Sequence, residues 1–254
     1  MEQWSGRVAI VTGASIGIGA DIVEALVRAG IKVVGVARRV ERIHNLAVEL
    51  KDQKGVLHPM KCDVRREEDI LRVFEWTEKE FGGVDILVNN AGVFVAEPII
   101  DSSTEDYRYI MEVNVIAVAI CTREAVRSMR RRNACGHIIN INSIAGHCAE
   151  MVKIPASLYC ASKYAVTAMS QSVTNELAAA KLNVKVTSIS PGPVRTEMFV
   201  RTGAPVEDLN RLPILTGKDI ADAVIYALGT PPNVQVKELI VSTLATMSSL
   251  YDPQ

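Results

Sequence analysis

Short runs of β-branched and other apolar residues recur along the chain and alternate with longer segments in which apolar residues follow helical spacing. Such runs predict strands, and apolar residues repeating every three to four positions predict helices. Strands that alternate with helices pair in parallel through right-handed crossovers. The pattern therefore predicts a doubly wound α/β fold with seven strands. The seven runs are RVAIVTG, KVVGVA, VLHPMKCDV, VDILVNN, GHIININS, VKVTSISPG and KELIVS.

These runs are apolar along their length instead of alternating with polar residues, which predicts that helices cover both faces of the sheet. No stretch between them is polar or repetitive enough to be a linker, so we expect one domain over residues 1–254. In such a Rossmann-like sheet, ligands bind beyond the carboxyl ends of the strands. The residues after each run are therefore where function is expected.

The first strand run is followed by TGASIGIG and then by a segment with helical spacing. Glycines permit a tight turn and close approach of the main chain to a pyrophosphate, and the helix amino terminus offers free N–H groups. The spacing is not GxGxxG, and a glycine cluster alone also fits an ordinary turn. The strand before it and the helix after it favour a dinucleotide site. The candidate cofactor-binding residues here are Gly13, Ser15, Gly17, Ile18 and Gly19.

The second strand run ends at Ala37 and is followed by Arg38 and Arg39. Dinucleotide folds that bind NAD present an acidic residue at this strand end to hold the ribose hydroxyls. A carboxylate would repel a 2′-phosphate, whereas two guanidinium groups would bind it through charge-assisted hydrogen bonds worth about 1.5–3 kcal/mol each. We therefore expect NADP(H) in preference to NAD(H). The alternative is a pair of solvated charges that opens the next helix.

The third and fourth strand ends add candidate contacts to the same cofactor. Asp63 can accept a hydrogen bond from the adenine amino group, and Val64 can pack on the adenine ring. The small residues of NNAG permit close approach of the main chain. Each motif alone would also fit an ordinary turn. The candidates in NNAG are Asn90, Ala91 and Gly92.

The fifth strand run places Ser143 at its carboxyl end, and the helical segment after it contains Tyr159 and Lys163. Residues four apart share one helix face, although this spacing alone is weak evidence. Hydride transfer to a carbonyl produces an alkoxide that must be protonated, and a tyrosine can supply that proton. To act as a base, a phenol with a pKa of ~10 must be brought to about 7, which takes roughly 4 kcal/mol. We expect the Lys163 ammonium and a nicotinamide cation to supply it, with Ser143 holding the substrate oxygen.

Together these motifs resemble the short-chain dehydrogenase/reductase family over essentially the whole chain. The resemblance implies a catalytic set of Ser143, Tyr159 and Lys163, with Asn114 helping to hold a water that relays protons through Lys163. Taken alone, Asn114 also fits a polar residue that kinks a long helix. The matching segments are TGASIGIG, CDV, NNAG, MEVNV with Asn114, INSIAG, the Tyr159–Lys163 pair and PGPVRT.

The family resemblance also implies contacts to the nicotinamide end of the cofactor. Tyr159 and Lys163 would both contact the cofactor, Lys163 through the nicotinamide ribose. Val194 and Thr196 in PGPVRT would hold the carboxamide. Family members form homodimers or homotetramers, so we expect one of these states. The apolar tail, residues 242–254, either joins such an interface or is a partly ordered terminus.

A narrower resemblance, carried by MEQWSGRVAIVTGAS, VVGVARRVERI, AICTREA and GHIININS, is to the subgroup of dehydrogenase/reductase member 11 and the insect farnesol dehydrogenases. It implies NADP(H)-dependent conversion of a lipophilic alcohol/carbonyl pair. The segments expected beside the substrate, 93–100, 147–158 and 198–215, are rich in apolar residues and suit such a pair. We expect a farnesol-like isoprenoid alcohol. The alternatives are an NADPH-dependent steroid or general carbonyl reductase and a catalytically silent NADP(H)-binding sensor.

Composition restricts the partners and the compartment. The 28 basic and 29 acidic residues nearly cancel, so nothing indicates nucleic-acid binding. Five scattered cysteines without CxxC and four histidines without ligand spacing indicate neither a disulfide framework nor a metal site. No apolar run reaches the ~18 residues of a membrane span. We therefore expect a soluble, cytoplasmic protein with no nucleic-acid partner and no stable insertion in a membrane.

Overall fold

The computed structural model describes residues 1–152, 154–200 and 214–244. All seven predicted strands are present and pair in parallel in one sheet. Each strand begins and ends within its predicted apolar run. The strands are β1 (Val8–Thr12), β2 (Lys32–Ala37), β3 (Val56–Lys61), β4 (Ile86–Asn89), β5 (Gly136–Ile141), β6 (Val184–Pro191) and β7 (Glu238–Val241). Their order across the sheet is β3-β2-β1-β4-β5-β6-β7.

Helices connect the strands, and local sequence signals fix several of their ends. Capping boxes begin two of the helices, one formed by Ser103 with Asp106 and one by Thr216 with Asp219. The α-helices are α1 (Ile18–Arg28), α2 (Val40–Glu49), α3 (Glu67–Phe81), α4 (Thr104–Met111), α5 (Ala117–Arg131), α6 (Tyr159–Ala179), α7 (Glu197–Val200) and α8 (Gly217–Gly229). Short 3-10 turns occupy Glu2–Trp4, Ile144–Gly146 and Ala149–Met151, and a π-helical turn, Glu112–Ile116, separates α4 from α5.

Two apolar clusters bury the two faces of the sheet. One includes side chains of α1 and α8, such as Leu26 and Val224, and the other includes side chains of α3 and α5, such as Val73 and Met129. Strands β1, β4 and β5 are buried along their whole length, as the apolar runs predicted. This layering confirms a doubly wound α/β sheet.

The expectation that every strand is apolar and covered along its length is wrong for β3 and β7. Both strands contain exposed and half-buried positions. Among the described strands, each lies at an edge of the sheet and pairs with one neighbour. β3 also contains Pro59, which lacks an N–H to donate and is therefore tolerated at an edge.

Strands β2 and β3 extend the sheet to one side of β1, and β4 to β7 extend it to the other side, so the strand order reverses between the neighbours β1 and β4. Polar groups join the carboxyl ends of these two strands. The Asn90 and Ala91 N–H groups both donate to Thr12 Oγ1 at 3.0 Å, and Asn90 Nδ2 donates to the Thr12 carbonyl at 2.9 Å. Such a reversal opens a crevice in which open α/β sheets bind ligands. In the part of the chain described, none of the helices is both long and apolar enough to cross a membrane.

Candidate active site

The glycine-rich turn between β1 and α1 has a backbone that other residues would not readily adopt. Gly17 precedes the first residue of α1 with φ 56° and ψ −139°, a conformation that L side chains rarely take. A Cβ on Gly19 would lie 2.2 Å from the Gly13 carbonyl oxygen. The turn is therefore packed closely against itself and exposes main chain at the α1 amino terminus, where it can receive a pyrophosphate.

A cavity of about 590 Å³ opens at the reversal between β1 and β4. Its size is within the usual range for cofactor and small-molecule sites. Every predicted cofactor-binding residue except Val194 lines it. Val194 is buried and forms an isolated β-bridge with Leu215. The residues present thus fit a dinucleotide that runs from the end of β2, past the glycine turn, to α6.

At the β2 end of this cavity the side chains of Arg38 and Arg39 extend from an exposed part of the chain. Asp63 lies on the same wall and accepts a hydrogen bond of 2.6 Å from Arg65 Nη2. The bonded Arg65 guanidinium lowers the pKa of the Asp63 carboxyl. Asp63 is therefore ionised and can act as a hydrogen-bond acceptor for an adenine amino group.

The predicted catalytic residues come together at the other end. Tyr159 begins α6, and Ser143, which follows β5, is near enough to its hydroxyl to lower the pKa of the phenol. Lys163 is one turn further along α6 and is 7% exposed. Its Nζ lies 5.7 Å from the centre of the Tyr159 ring and donates to the Ile141 carbonyl at 3.0 Å. The structure therefore places a phenol and a buried ammonium in the wall at one end of the cavity, with Ser143 next to the lining residue Asn142.

Without a nicotinamide cation the protein's own groups raise the pKa of Tyr159, and the expected depression stays a prediction for the cofactor complex. Burial raises the pKa of Tyr159 to about 12, and the Ser143 hydrogen bond opposes this only in part. Burial also lowers the pKa of Lys163 to about 8. Low-dielectric surroundings disfavour the charged form of both groups, and the Lys163 ammonium donates to a main-chain carbonyl. Lys163 alone is thus insufficient to make Tyr159 a base near neutral pH.

Asn114 lies in the π-helical turn and is buried. Its Oδ1 accepts from the Val93 N–H at 2.8 Å, and its Nδ2 donates to the Val93 carbonyl and to Ser162 Oγ, both at 3.0 Å. The Asn114 side-chain amide thus fixes the segment after β4. Because both of its polar atoms already have partners, a water bound at Asn114 would be held by the main chain of Asn114. The helix is also interrupted here, as the simpler interpretation of Asn114 expected.

Two of the segments expected beside the substrate meet next to Tyr159. Phe94 stacks edge-on against the Tyr159 ring with 5.1 Å between ring centres. The Ser157 N–H donates to the Glu97 carbonyl at 2.8 Å, which joins segment 147–158 to segment 93–100. Residue 153, residues 201–213 of the third segment and residues 245–254 of the tail lie outside the described residues.

Glu197 lines the cavity, although no functional role was predicted for it from the sequence. It begins α7 directly after Thr196. Its carboxylate contacts Arg39 Nη1 at 3.1 Å and Arg42 Nη1 at 2.7 Å. An acidic residue directly after PGPVRT was the only sequence signal, and nothing in it indicated that α7 approaches α2.

A cavity at the reversal point of a parallel sheet, with a Ser–Tyr–Lys set at one end, defines an oxidoreductase of Rossmann-like fold. The model of the short chain dehydrogenase family matches residues 7–206. The chain therefore belongs to the short-chain dehydrogenase/reductase family, which confirms the resemblance.

The relatives support the narrower subgroup as well. Farnesol dehydrogenase of Aedes aegypti is 48% identical over 244 residues, which cover 95% of this chain and 97% of that protein. Dehydrogenase/reductase SDR family member 11 of Gallus gallus is 46% identical, over 94% of this chain and 96% of that protein.

Solved structures share the fold at lower identity. A short-chain type dehydrogenase/reductase from Mycobacterium marinum superposes with a TM-score of 0.84 at 28% identity, over 94% of this chain and 95% of that chain. An alcohol dehydrogenase from the archaeon Thermococcus sibiricus, complexed with 5-hydroxy-NADP, gives a TM-score of 0.83 at 28% identity. That match covers 98% of this chain and all of the other, which confirms the fold class.

Proposed function

We propose that this protein is an NADP(H)-dependent oxidoreductase that interconverts a lipophilic alcohol and its carbonyl compound, with an isoprenoid alcohol such as farnesol as the preferred substrate. One observation carries the proposal. A single cavity has the Tyr159–Lys163 pair at one end and the Arg38–Arg39 pair at the other. A dinucleotide that spans the cavity would place its reactive ring at the phenol and its 2′-phosphate at the arginines.

The wall at the end of β2 supports the choice of NADP(H). Ala37, which ends the strand, offers no carboxylate to the ribose hydroxyls, and both following residues are arginines that line the cavity. Guanidinium groups bind phosphate through paired, charge-assisted hydrogen bonds. The Thermococcus sibiricus structure, which shares the fold, was determined with an NADP derivative.

When bound, the nicotinamide supplies or accepts the hydride. The protein's part is to hold the substrate oxygen and to move one proton. Ser143 would hydrogen-bond the substrate oxygen beside the Tyr159 hydroxyl. For carbonyl reduction, the high pKa of Tyr159 keeps the phenol protonated and ready to donate. For alcohol oxidation the phenolate is required, and with a pKa of about 8 Lys163 still carries its positive charge near neutral pH.

The substrate side supports a lipophilic molecule. Val93, Phe94 and Met198 line the cavity near the catalytic end, and Phe94 packs on Tyr159. Apolar and aromatic linings with a few fixed polar groups are typical of sites for apolar ligands. The 48% identity to a farnesol dehydrogenase favours an isoprenoid alcohol. The second candidate is steroid or general carbonyl reduction with NADPH, in which a protonated Tyr159 would be the proton donor.

A silent NADP(H) sensor is disfavoured, because a protein that only binds the cofactor has no need of a phenol with Ser143 near it and a buried lysine one helical turn away. We also propose that the protein works in the cytoplasm, as a homodimer or homotetramer. Size-exclusion chromatography with light scattering tests the oligomeric state.

The experiment that tests the function is absorbance at the reduced-nicotinamide band, with purified protein, NADP⁺ and farnesol, beside a hydroxysteroid. Farnesol-dependent formation of NADPH is expected. Activity with the steroid alone, or only from NADPH to a ketone, would replace the isoprenoid assignment with the reductase.

The cofactor assignment is tested by Arg38→Asp and Arg39→Asp, which should lose NADPH affinity and keep NADH affinity. Unchanged discrimination in both variants would overturn it.

A further inference from the structure

Glu197 holds one of the two arginines assigned to the 2′-phosphate. Its carboxylate lies 3.1 Å from Arg39 Nη1 and 2.7 Å from Arg42 Nη1, and each of the three side chains is a little under half exposed. Arg39 and Glu197 both line the cofactor cavity, so this ion pair forms part of its wall. The hydrogen bonds from Arg42 and Arg39 lower the pKa of the Glu197 carboxyl. At neutral pH Glu197 therefore presents a negative charge to Arg39.

A carboxylate and a phosphate compete for the same guanidinium donors. Both bind through N–H···O bonds in similar geometry, and both are anionic. A 2′-phosphate at Arg39 would also repel the Glu197 carboxylate, because the phosphate carries a charge of about −2. Arg42 is the closer partner of Glu197, so it can keep the carboxylate when Arg39 turns toward the phosphate.

We propose that Glu197 is a specificity-determining residue that competes with the cofactor 2′-phosphate for Arg39 and so weakens the preference for NADP(H) over NAD(H). This inference rests on the proposed use of NADP(H). It assigns a role to a residue on α7 that lies far along the chain from the arginines that follow β2 but contacts Arg39 in the cavity wall. Cofactor choice would then be set by two arginines and a carboxylate together.

The test is a calorimetric titration of Glu197→Gln and the wild-type protein with adenosine 2′,5′-bisphosphate and with adenosine 5′-monophosphate. Glutamine keeps the size of the side chain and removes its charge. An exposed ion pair is a weak competitor, so the Kd for the bisphosphate should fall about two- to fivefold in Glu197→Gln. The Kd for the monophosphate should not change, because only the bisphosphate carries the group that Arg39 binds.

The matched control is Glu41→Gln, which removes another exposed carboxylate from the first turn of α2. It should leave both Kd values unchanged. An unchanged or higher Kd for the bisphosphate in Glu197→Gln would overturn the proposal that Glu197 competes for Arg39. An equal fall in the Kd for the bisphosphate in Glu41→Gln, or in the Kd for the monophosphate in Glu197→Gln, would overturn it as well. If the wild-type protein does not prefer the bisphosphate, NADP(H) use itself fails and the inference fails with it. If it does prefer the bisphosphate but Glu197→Gln changes nothing, only the role of Glu197 is lost.

Discussion

The buried side chain of His137 makes the free energy of unfolding depend on pH, and the size of this dependence follows from the His137 pKa. It is the second residue of β5, is fully buried and lies between Ile86 of β4 and Lys185 of β6. Burial, assisted by the Lys185 charge, lowers the pKa of His137 from 6.5 to about 3. Because the folded protein resists protonation there and the unfolded chain does not, the unfolded state takes up more protons as the pH falls below 6.5.

Hydrogen bonding explains why the ring stays neutral. His137 Nε2 lies 2.8 Å from Thr187 Oγ1, and that hydroxyl donates its own proton to the Val236 carbonyl at 2.6 Å. Nε2 must therefore be the protonated nitrogen. Among the described residues Nδ1 has no hydrogen-bond partner. A proton added to Nδ1 would be buried without an acceptor, which is costly.

The expected cost follows from the two pKa values. Stability contributed by neutral His137 is complete above the unfolded pKa and is lost as the pH falls, by about 2 kcal/mol at about pH 5 and about 3 kcal/mol at about pH 4. Urea unfolding near pH 7 and near pH 5 measures this loss. His137→Gln, which keeps a donor for Thr187, should lose about 2 kcal/mol less than the wild-type protein over that interval.

His44→Gln is the control, because it removes an exposed histidine from α2. This variant should follow the wild-type pH dependence. Acidic residues also contribute to acid unfolding, so the informative quantity is the difference between each variant and the wild-type protein. An equal loss of stability in His137→Gln and the wild-type protein would refute the reasoning.

Three further substitutions test the site. Gly19→Ala should reduce cofactor affinity at least tenfold by fluorescence titration, because the new Cβ would lie 2.2 Å from the Gly13 carbonyl oxygen and force the turn open; unchanged affinity would contradict the packed turn. Phe94→Ala should raise KM for a lipophilic alcohol about three- to tenfold by removing a half-buried ring beside Tyr159, and an unchanged KM would place the substrate elsewhere. Asn114→Leu should lower the free energy of unfolding by about 1–3 kcal/mol, because buried main-chain groups lose their partners; a wild-type urea midpoint would contradict that role.

Much of the fold could be predicted because the signals are local. Each strand was an apolar run, and the parallel pairing followed from strands that alternate with helices. The glycine turn, Ser143, Tyr159 and Lys163 were recognisable because each has a fixed place relative to a strand end or a helix turn. The edge strands departed from the expectation because burial depends on the number of neighbours, which the composition of a single run does not show.

The features that could not be predicted depend on contacts between distant segments. The pairing of Glu197 with Arg39 joins residues 158 positions apart and requires α7 to approach α2. The hydrogen bonds of Asn114 to Val93 depend on where the segment after β4 passes the π-helical turn. The rise in the Tyr159 pKa comes from burial, which spacing along a helix does not reveal.

The most direct test of the account is a comparison of Tyr159→Phe with the wild-type protein in NADPH formation from NADP⁺ and farnesol, together with NADPH binding followed by fluorescence. The substitution removes only the hydroxyl that moves the proton. General acid–base catalysis by one group is worth about 10²–10⁴-fold, so the account predicts a loss of turnover of that size with the NADPH Kd within about twofold of wild type. Retained turnover in Tyr159→Phe would contradict proton transfer by Tyr159 and with it the proposed mechanism.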